Sequence, residues 1–302
     1  MVQRLTFAPG TRMLEAEIIE WGVRGSFVTL ENRIGGHTTC ISIEYGGRVI
    51  IIDSGTAMID VAAYLRAKYL RLPTSTLVVY VIQTHLHQDH IAGFSAFNLV
   101  FDPRVTIHLV GSRHEGFPGE SWTAIDVLEK MVFRPPFFPM PFRALPCKFE
   151  FEELNPVGDH FTIPCPVGGN IEVDMRPMFH PNQSFGFRLN IGGKILAVTM
   201  DHEAHPDLDR HIFYLWEGAT VVITEVQYPE LVYLQKVGWG HICDTVAGRH
   251  ALAARLAKDA LLLWTHHDID ANFNDLFEMG KRMTDICQIR TEPAIQGNRF
   301  LF

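Results

Sequence analysis

The sequence predicts an α+β fold in which two β-sheets pack face to face and helices cover their outer sides. Short apolar runs of strand length occur in two blocks, and each block is followed by segments with helical spacing. Paired glycines mark hairpin turns at Gly46-Gly47 and Gly192-Gly193. Sheets and helices in this order bury their apolar faces in layers. With 302 residues, 47% of them hydrophobic, the chain is expected to form a sizeable core, and residues 1–302 are treated as a single domain.

The first block opens with a segment that alternates apolar and polar residues, the pattern of a strand with one buried face. Runs rich in valine and isoleucine follow at strand length, and helical spacing appears after the third strand. The predicted strands are 14–21, 38–44, 48–53, 77–83 and 105–110, and the predicted helices are 59–69 and 121–132.

The second block begins beyond Cys147 and shows the same two patterns. Its predicted strands are 172–178, 184–190, 194–200, 220–224 and 261–265, with helices at 207–216, 245–257 and 273–283. A Pro/Phe-rich insert at about 116–169 separates the blocks, and residues 134–142 carry too many prolines for a helix or a central strand. This loop is too aromatic for a solvated linker. It is expected to form a wall of the active site, a subunit contact, or a loop packed on the core.

The most informative segment is 84–90, Thr-His-Leu-His-Gln-Asp-His, which directly follows a predicted strand. Side chains two residues apart at a strand end point the same way, so His85 and His87 can bind one cation. Asp89 and His90 lie where the chain turns and can reach a second cation nearby. Imidazole and carboxylate ligands without thiolate suit zinc, manganese or iron in a hydrolytic site.

Four further strand ends carry a candidate ligand, and in a two-sheet sandwich such ends would gather around one cleft. These residues are Asp53, His180, Asp201 and His266. His180 precedes a proline and could instead be a turn residue. Glu203 and His205 compete with Asp201, whose position at the strand end favours it.

The strand-end position also favours His266 over His267, which is then expected to support the site, contact substrate or lie exposed. Arg24, in a glycine-bearing loop, is expected to be an ordinary loop arginine rather than a phosphate contact. The remaining histidines without a motif are expected to be structural or exposed: His37, His108, His114, His160, His211 and His250.

The order of these ligands resembles that of the metallo-β-lactamase superfamily over nearly the whole chain. The resemblance implies an αββα four-layer sandwich with two mixed β-sheets face to face. It also implies two divalent metal ions, expected to be zinc with manganese or iron as alternatives. The first ion would be held by His85, His87 and His180, the second by Asp89, His90 and His266, with Asp201 bridging them. Asp53 would support the site by holding ligands and loops.

Two further residues resemble the phosphodiesterase-type branch of this superfamily. Glu225 ends a predicted strand and His241 opens a helix, at positions where transfer-RNA 3′-processing ribonucleases have a glutamate supporting a proton-donating histidine. The resemblance implies a catalytic set of His241, Glu225 and Asp89, in which His241 protonates the leaving oxygen. An ordinary helix-start histidine is the alternative. Thr224 replaces that motif's histidine. A related bacterial group, similar also to small cyclic-phosphate diesterases, has aspartate at Glu225 and asparagine at His37.

The chain is therefore expected to be a metal-dependent hydrolase of a small or cyclic phosphodiester. The alternatives are a carbonyl hydrolase acting on a thioester, lactone or β-lactam with the same metals, or a non-catalytic metal-holding sensor. A formal charge of −8 and an insert without lysine clusters argue against bulk nucleic acid as a partner.

Location and assembly are expected from simpler signals. No apolar run approaches the roughly 20 residues of a membrane span, and the first seven residues show no signal-peptide core. The five cysteines are scattered and indicate reduced thiols, so a cytoplasmic location is expected. A homodimer with the loop at Phe137-Phe138 as a contact is left open.

Overall fold

The structure is a computed structural model that describes residues 2–4, 14–31 and 33–302, with the backbone alone for residues 2–4. Most of the first seven residues, in which the sequence shows no signal-peptide core, therefore lie outside the described residues. The strands are β1 (Val2–Arg4), β2 (Glu17–Gly22), β3 (Cys40–Tyr45), β4 (Arg48–Ile52), β5 (Leu77–Ile82), β6 (Val105–Ser112), β7 (His114–Glu115), β8 (Ser121–Trp122), β9 (Lys148–Leu154), β10 (Asp159–Ile163), β11 (Ile171–Met178), β12 (Ser184–Ile191), β13 (Lys194–Thr199), β14 (Val221–Glu225), β15 (Leu261–Thr265), β16 (Arg290–Pro293) and β17 (Arg299–Leu301). The helices are α1 (Met58–Tyr69), α2 (Gln88–Ile91), α3 (Ala124–Val127), α4 (Asp209–Trp216), α5 (Glu230–Tyr233), α6 (Asp244–Ala253) and α7 (Phe273–Cys287). Over these described ranges, no helix is both long enough and apolar enough to cross a membrane.

Two large sheets contain nearly all of these strands. The first has the order β1-β17-β2-β3-β4-β5-β6-β9 and the second the order β10-β11-β12-β13-β14-β15-β16, while β7 and β8 form a separate hairpin. Both large sheets are mixed. In the first, pairing changes from antiparallel to parallel at β4, and in the second it does so at β13. The predicted α+β fold with two mixed sheets is confirmed.

The core shows why the strand signals in the sequence were strong. Tyr80 and Ile82 of β5 belong to an apolar cluster that both sheets share, whereas Val79 and Val81 of the same strand pack under α1. A third cluster lies between the second sheet and the helices α4, α6 and α7. A strand buried on both faces has a continuous apolar run instead of an alternating one. The layers are therefore helix, sheet, sheet and helix, as predicted.

The range 116–169 is only partly an insert. Within it, β9 pairs with β6 in the first sheet and β10 forms the edge of the second, so both are regular strands of the sandwich. The part outside the two large sheets runs from the end of β6 to the start of β9. Sequence composition marked the whole stretch as unusual, but it could not reveal which strands pair at the sheet edges.

The helix predicted at 121–132 begins later than expected. Its first two residues form β8, which pairs with β7, and Thr123 then caps α3. The Thr123 hydroxyl accepts a hydrogen bond from the Asp126 backbone N–H at 3.3 Å, and the Asp126 carboxylate accepts one from the Thr123 N–H at 3.0 Å. Such reciprocal capping fixes a helix start. One π-helical turn at Leu128–Val132 completes the helix.

The proline- and phenylalanine-rich loop at 134–142 packs on the core. Phe142 is buried in the apolar cluster that also contains residues of α1 and of the first sheet. Phe138 stacks on Phe101, with ring centroids 6.2 Å apart. Phe137, by contrast, is 81% exposed. Of the three expected roles, packing on the core is the one that the structure shows.

Candidate metal centre and its cleft

The candidate site forms where strands of both sheets end. Asp53 follows β4, the segment 84–90 follows β5, His180 follows β11, Asp201 follows β13 and His266 follows β15. These strands run in the same direction within each sheet, so their carboxyl ends meet at one edge. The fold therefore gathers residues that are far apart in the sequence.

The first group of donor atoms comes from His85, His87, His180 and Asp201, and all its ligand atoms lie within 4.8 Å of one another. His87 Nδ1 is 3.0 Å from His180 Nε2. Asp201 Oδ2 is 3.6 Å from His85 Nε2 and 3.8 Å from His180 Nε2. Three imidazoles and one carboxylate oxygen thus face a common point.

The second group comes from Asp89, His90, His266 and Asp201 and is equally compact. His266 Nε2 lies 3.2 Å from His90 Nε2 and 3.2 Å from Asp89 Oδ2. Asp201 Oδ1 is 3.3 Å from His90 Nε2 and 3.1 Å from His266 Nε2. Asp201 therefore faces the first group with one carboxylate oxygen and the second group with the other.

Both groups fit a bound cation better than a set of hydrogen bonds. Zinc binds imidazole nitrogen and carboxylate oxygen at about 2.0–2.2 Å, so tetrahedral ligand atoms lie roughly 3.3 Å apart. The separations given above are close to that value. His85 Nε2 and Asp201 Oδ1 are buried without a hydrogen-bond partner among the described residues, which is costly unless a cation satisfies them.

Protonation states support the same interpretation. Burial lowers the pKa values of His85 and His87, and lowers that of His180 to about 4, so these imidazoles are neutral and able to bind metal. Burial opposes charge on His90 too, but the neighbouring carboxylates raise its pKa well above the usual value. Burial of Asp89 would raise its pKa, but the nearby His90 lowers that pKa below the usual range. The second group therefore concentrates negative charge that a divalent cation would balance.

Asp53 orients one of these ligands without facing the cation sites itself. Its Oδ2 accepts a hydrogen bond from His90 Nδ1 at 2.7 Å, which leaves Nε2 directed at the second group. Its Oδ1 accepts hydrogen bonds from the Thr84 backbone N–H at 2.8 Å and from Gln83 Nε2 at 3.0 Å. Partners of this kind fix the tautomer and orientation of a ligating imidazole.

Two glycines allow the backbone to approach the ligand rings closely. A Cβ atom at Gly25 would lie 2.5 Å from the His266 ring, and one at Gly240 would lie 2.4 Å from the His180 ring. Gly240 also accepts a hydrogen bond from His180 Nδ1 at 2.7 Å. His266 itself has φ 59°, an uncommon left-handed conformation that its surroundings must hold in place.

Glu225 and His241 lie beside the Asp201 carboxylate, which the two donor groups share. Glu225 is fully buried and accepts hydrogen bonds from the backbone N–H groups of His202, Gln227 and Ile242 at 2.9–3.2 Å. His241 Nδ1 is 3.5 Å from Glu225 Oε1. Burial opposes charge on this ring, but Glu225 raises the pKa of His241 above its usual value. The imidazolium is therefore stabilised within 3.9 Å of Asp201 Oδ2.

The residues that compete with Asp201 lie elsewhere. Glu203 accepts hydrogen bonds from the backbone N–H groups of Gly238 and Gly240 at 2.8–3.0 Å, so it braces the loop before His241. His205 packs on Phe179 with ring centroids 4.5 Å apart. Neither belongs to a donor group among the described residues.

Two other side chains, Arg24 and His267, are buried and not exposed at the surface. His267 is fully buried and its Nε2 donates a hydrogen bond to the Ala294 carbonyl at 2.9 Å, so an exposed position is wrong. Arg24 is also fully buried and donates to the carbonyls of Gly35 and Asp268 at 2.9 and 2.6 Å. Arg24 thus anchors the glycine-bearing loop from within.

A cleft of about 570 Å³ opens beside the first donor group. Residues 114–131, here called the insert wall, form much of its outer side, and His85 and His87 lie at its inner side. His114, expected to be structural or exposed, is one of the lining residues. No sequence signal marked it, because its contacts to Asn182 and Gln183 join segments far apart in the chain.

Comparison with known proteins agrees with this architecture. A family model described as the metallo-beta-lactamase superfamily matches residues 33–169. The metallo-beta-lactamase fold protein YhfI from Bacillus subtilis is similar in structure, with a TM-score of 0.69 and 17% identity over 96% of this chain and 100% of that chain. No protein of curated function matches the sequence.

Two further solved structures share the fold. A diphosphatase from the PhnP family matches with a TM-score of 0.65 and 15% identity over 95% of this chain and 98% of that chain. The short form of human tRNase Z matches with a TM-score of 0.56 and 14% identity over 83% of this chain and 93% of that chain. At these identities the likeness establishes the fold.

Proposed function

We propose that this chain, which has the metallo-β-lactamase fold and matches that superfamily's model over residues 33–169, is a dinuclear metal-dependent hydrolase that cleaves a small or cyclic phosphodiester. The observation that carries this proposal is the Glu225–His241 pair beside the bridging Asp201. A phosphodiester has an alkoxide leaving group of high pKa that needs a proton, and this pair offers one at the site.

The ligand set supports two cations. His85, His87 and His180 would hold the first, Asp89, His90 and His266 the second, and Asp201 would be shared. When bound, such cations supply a deprotonated water at neutral pH and neutralise the phosphate oxygens. Zinc is proposed because the donors are imidazole and carboxylate at tetrahedral spacing, with manganese or iron as alternatives.

His241 supplies the proton in this proposal. The oxygen of a hydroxide, formed when water releases a proton to solvent, bonds to phosphorus, the bond from phosphorus to the leaving oxygen breaks, and the proton of the imidazolium passes to that oxygen. The imidazole then regains a proton from solvent. Since Glu225 raises the pKa of His241, the acid form persists at pH values above the ring's usual range. A positioned general acid contributes on the order of 10² to 10⁴ in rate.

The surroundings favour a small substrate over a polymer. The chain has a formal charge of −8, while nucleic-acid-binding domains present a basic face. Two proteins of similar fold are described as a diphosphatase of the PhnP family and a tRNase Z; both names support a phosphate-containing substrate, and the second refers to an RNA. The five cysteines are free thiols, which supports the cytoplasm as the proposed location. A homodimer stays a prediction.

The test compares His241→Ala with the wild type on two diesters that differ only in the leaving group. With an alkyl leaving group the loss in kcat should be on the order of 10² to 10⁴, and with p-nitrophenolate it should be small, because that anion leaves without a proton. His205→Ala, outside both donor groups, is the control and should change neither. Equal losses on both esters would remove His241 from this role.

A substrate panel tests the reaction class itself. Bis-aryl phosphate, cyclic nucleotides, a thioester and a chromogenic β-lactam should be assayed with zinc and with manganese. The proposal expects turnover of the phosphodiesters. Turnover of the carbonyl compounds alone would contradict it, and so would metal binding without turnover of any of them.

A further inference from the structure

The cleft beside the first donor group has a lining that the proposed chemistry does not need. Apolar and aromatic side chains supply most of its surface: Leu86, Ile91, Phe117, Trp122, Val127 and Met131. The charged side chains that line it are the carboxylates Glu115 and Glu120, and among the described residues no lysine or arginine lines it. Apolar pockets with few polar groups are typical of sites for the organic part of a ligand.

The two cationic side chains next in sequence to the lining residues His114 and Met131 are already paired with carboxylates. Arg113 is bound by both carboxylate oxygens of Glu153 at 2.8 Å, and Lys130 pairs with Asp126 at 2.7 Å. Lys130 also lies over the Trp122 ring, 5.2 Å from its centroid. Carboxylates therefore neutralise both of these positive charges, and the cleft presents apolar and acidic surface to a ligand.

We infer that the insert wall binds the organic group of the substrate and selects an uncharged, apolar or aromatic group over one that carries a second phosphate. This inference rests on the proposed function, in which the scissile phosphate sits at the metal centre. A phosphodiester held at the first donor group would have its organic group next to the cleft, because His85 and His87 of that group also line the cleft. An apolar ring gains free energy on leaving water, whereas a second phosphate would face Glu115 and Glu120.

The insert wall is attached to the metal centre by specific hydrogen bonds. His114 Nδ1 donates to the Gln183 carbonyl at 3.2 Å, and Asn182 Nδ2 donates to the Glu115 carbonyl at 3.3 Å. Asn182 and Gln183 belong to the turn that follows the ligand His180. With its proton on Nδ1, His114 leaves Nε2 as a neutral acceptor for a hydroxyl or amide of the bound group. The cleft therefore keeps a fixed position relative to the ligands.

The first arm of the test measures binding without turnover. Methyl(phenyl)phosphinate and dimethylphosphinate share a monoanionic head without an ester bond and differ in the organic group, and their binding to the zinc-loaded protein is measured by titration calorimetry. The phenyl compound should bind at least about tenfold more tightly, as expected for burial of an aromatic ring. Equal affinities would overturn the inference.

Matched variants locate the effect. Phe117 lines the cleft and is 80% exposed, while Phe137 lies outside it and is 81% exposed, so alanine at either site should leave the fold intact. Phe117→Ala should reduce the preference for phenyl several-fold, and Phe137→Ala should leave it unchanged. Met131→Ala, at a second half-exposed lining position, should act like Phe117→Ala. The same change in both phenylalanine variants would assign the preference to another surface.

The second arm measures turnover of p-nitrophenyl phenyl phosphate and of its analogue with a phosphate on the phenyl ring. Both release p-nitrophenolate, so the chemical step is the same. The phosphorylated analogue should have a kcat/KM at least about tenfold lower, and Glu115→Gln with Glu120→Gln should reduce this difference. A kcat/KM equal to or higher than that of the parent would overturn the inference. Absence of any diester turnover together with a phenyl preference in calorimetry would reject the proposed function and keep this binding site.

Discussion

Two walls enclose the candidate metal centre, and they differ in almost every physical property. The buried wall (Glu225, Gly240 and His241) is polar, nearly inaccessible to water, and fixed by backbone hydrogen bonds to the Glu225 carboxylate. The insert wall is apolar, largely open, and attached through a few hydrogen bonds to the turn after His180.

The contrast shows how the fold separates two tasks. The buried wall belongs to β14 and to the segment before α6, so the second sheet fixes its position. Because the local dielectric is low there, the Glu225 carboxylate has a strong effect on the pKa of His241. The insert wall is a connection between β6 and β9, where side chains can change without disturbing the strand ends. We therefore expect changes at the buried wall to alter the reaction itself and changes at the insert wall to alter substrate choice.

The largest effect is expected at the residue that both donor groups share. Asp201→Ala should remove metal from both groups and lower kcat by a factor on the order of 10³ or more, since the pKa of free water is about 15.7. Elemental analysis gives the metal content and a bis-aryl phosphate gives the rate. Glu203→Gln serves as the control from the same segment and should keep its metal, because Glu203 braces the loop before His241. Full metal retention in Asp201→Ala would invalidate the ligand assignment.

A smaller but selective effect is expected at Gly25. A Cβ atom there would lie 2.5 Å from the His266 ring, so Gly25→Ala should displace that ligand and weaken the second cation by about 10- to 100-fold in affinity. Metal titration followed by activity measurement would detect this loss, while the first cation should stay bound. Gly111→Ala is the matched control, because its Cβ would meet its neighbours at 3.5 Å, an ordinary contact. Equal metal affinity in both variants would show that His266 is not constrained by this glycine.

The buried wall is tested by Glu225→Gln through the pH profile. Since Glu225 raises the pKa of His241, the acid form and the activity on an alkyl ester are present at low pH and are lost as pH rises through that pKa. Without the negative charge the pKa falls, and the loss should begin at lower pH, with activity at pH 8 reduced about tenfold. Activity on a p-nitrophenyl ester should keep its profile. An unchanged profile on the alkyl ester would separate Glu225 from the protonation of His241.

Much of the fold and of the candidate ligand groups was predictable because the signals are local. The apolar run of β5 followed by His85 and His87 combines a strand pattern with a ligand spacing, and both survive in the structure. Asp53 and His266 also follow apolar runs directly. Asp201 and Glu203 were competing candidates for one ligand position. Asp201 was favoured because it lies closer to the end of β13 at Thr199, and in the structure Asp201 belongs to both donor groups.

The insert wall was not predictable, because the contacts that create it are not local. His114 is separated from the end of β6 by one residue, and its role depends on a turn that lies beyond β11 in the chain. Ser121-Trp122 read as the first turn of a helix, yet pairing with β7 makes them a strand. The Thr123-x-x-Asp126 spacing does carry a local signal for a helix start, and it would have placed α3 correctly.

The smallest effect is expected from that cap, and it tests whether the insert wall has a binding role separate from general stability. Thr123→Ala removes the capping box of α3 in the insert wall, and Asn272→Ala removes the equivalent box of α7, which lies outside the cleft. Each change should lower the free energy of unfolding by about 1 kcal/mol, measured by urea denaturation. Only Thr123→Ala should also raise KM for p-nitrophenyl phenyl phosphate, by about two- to threefold, because α3 supports the apolar lining. Metal content should stay the same in both variants, since neither cap contacts a ligand. If both variants raise KM equally, general loss of stability would explain the change, and the insert wall would lose its distinct role in binding the organic group.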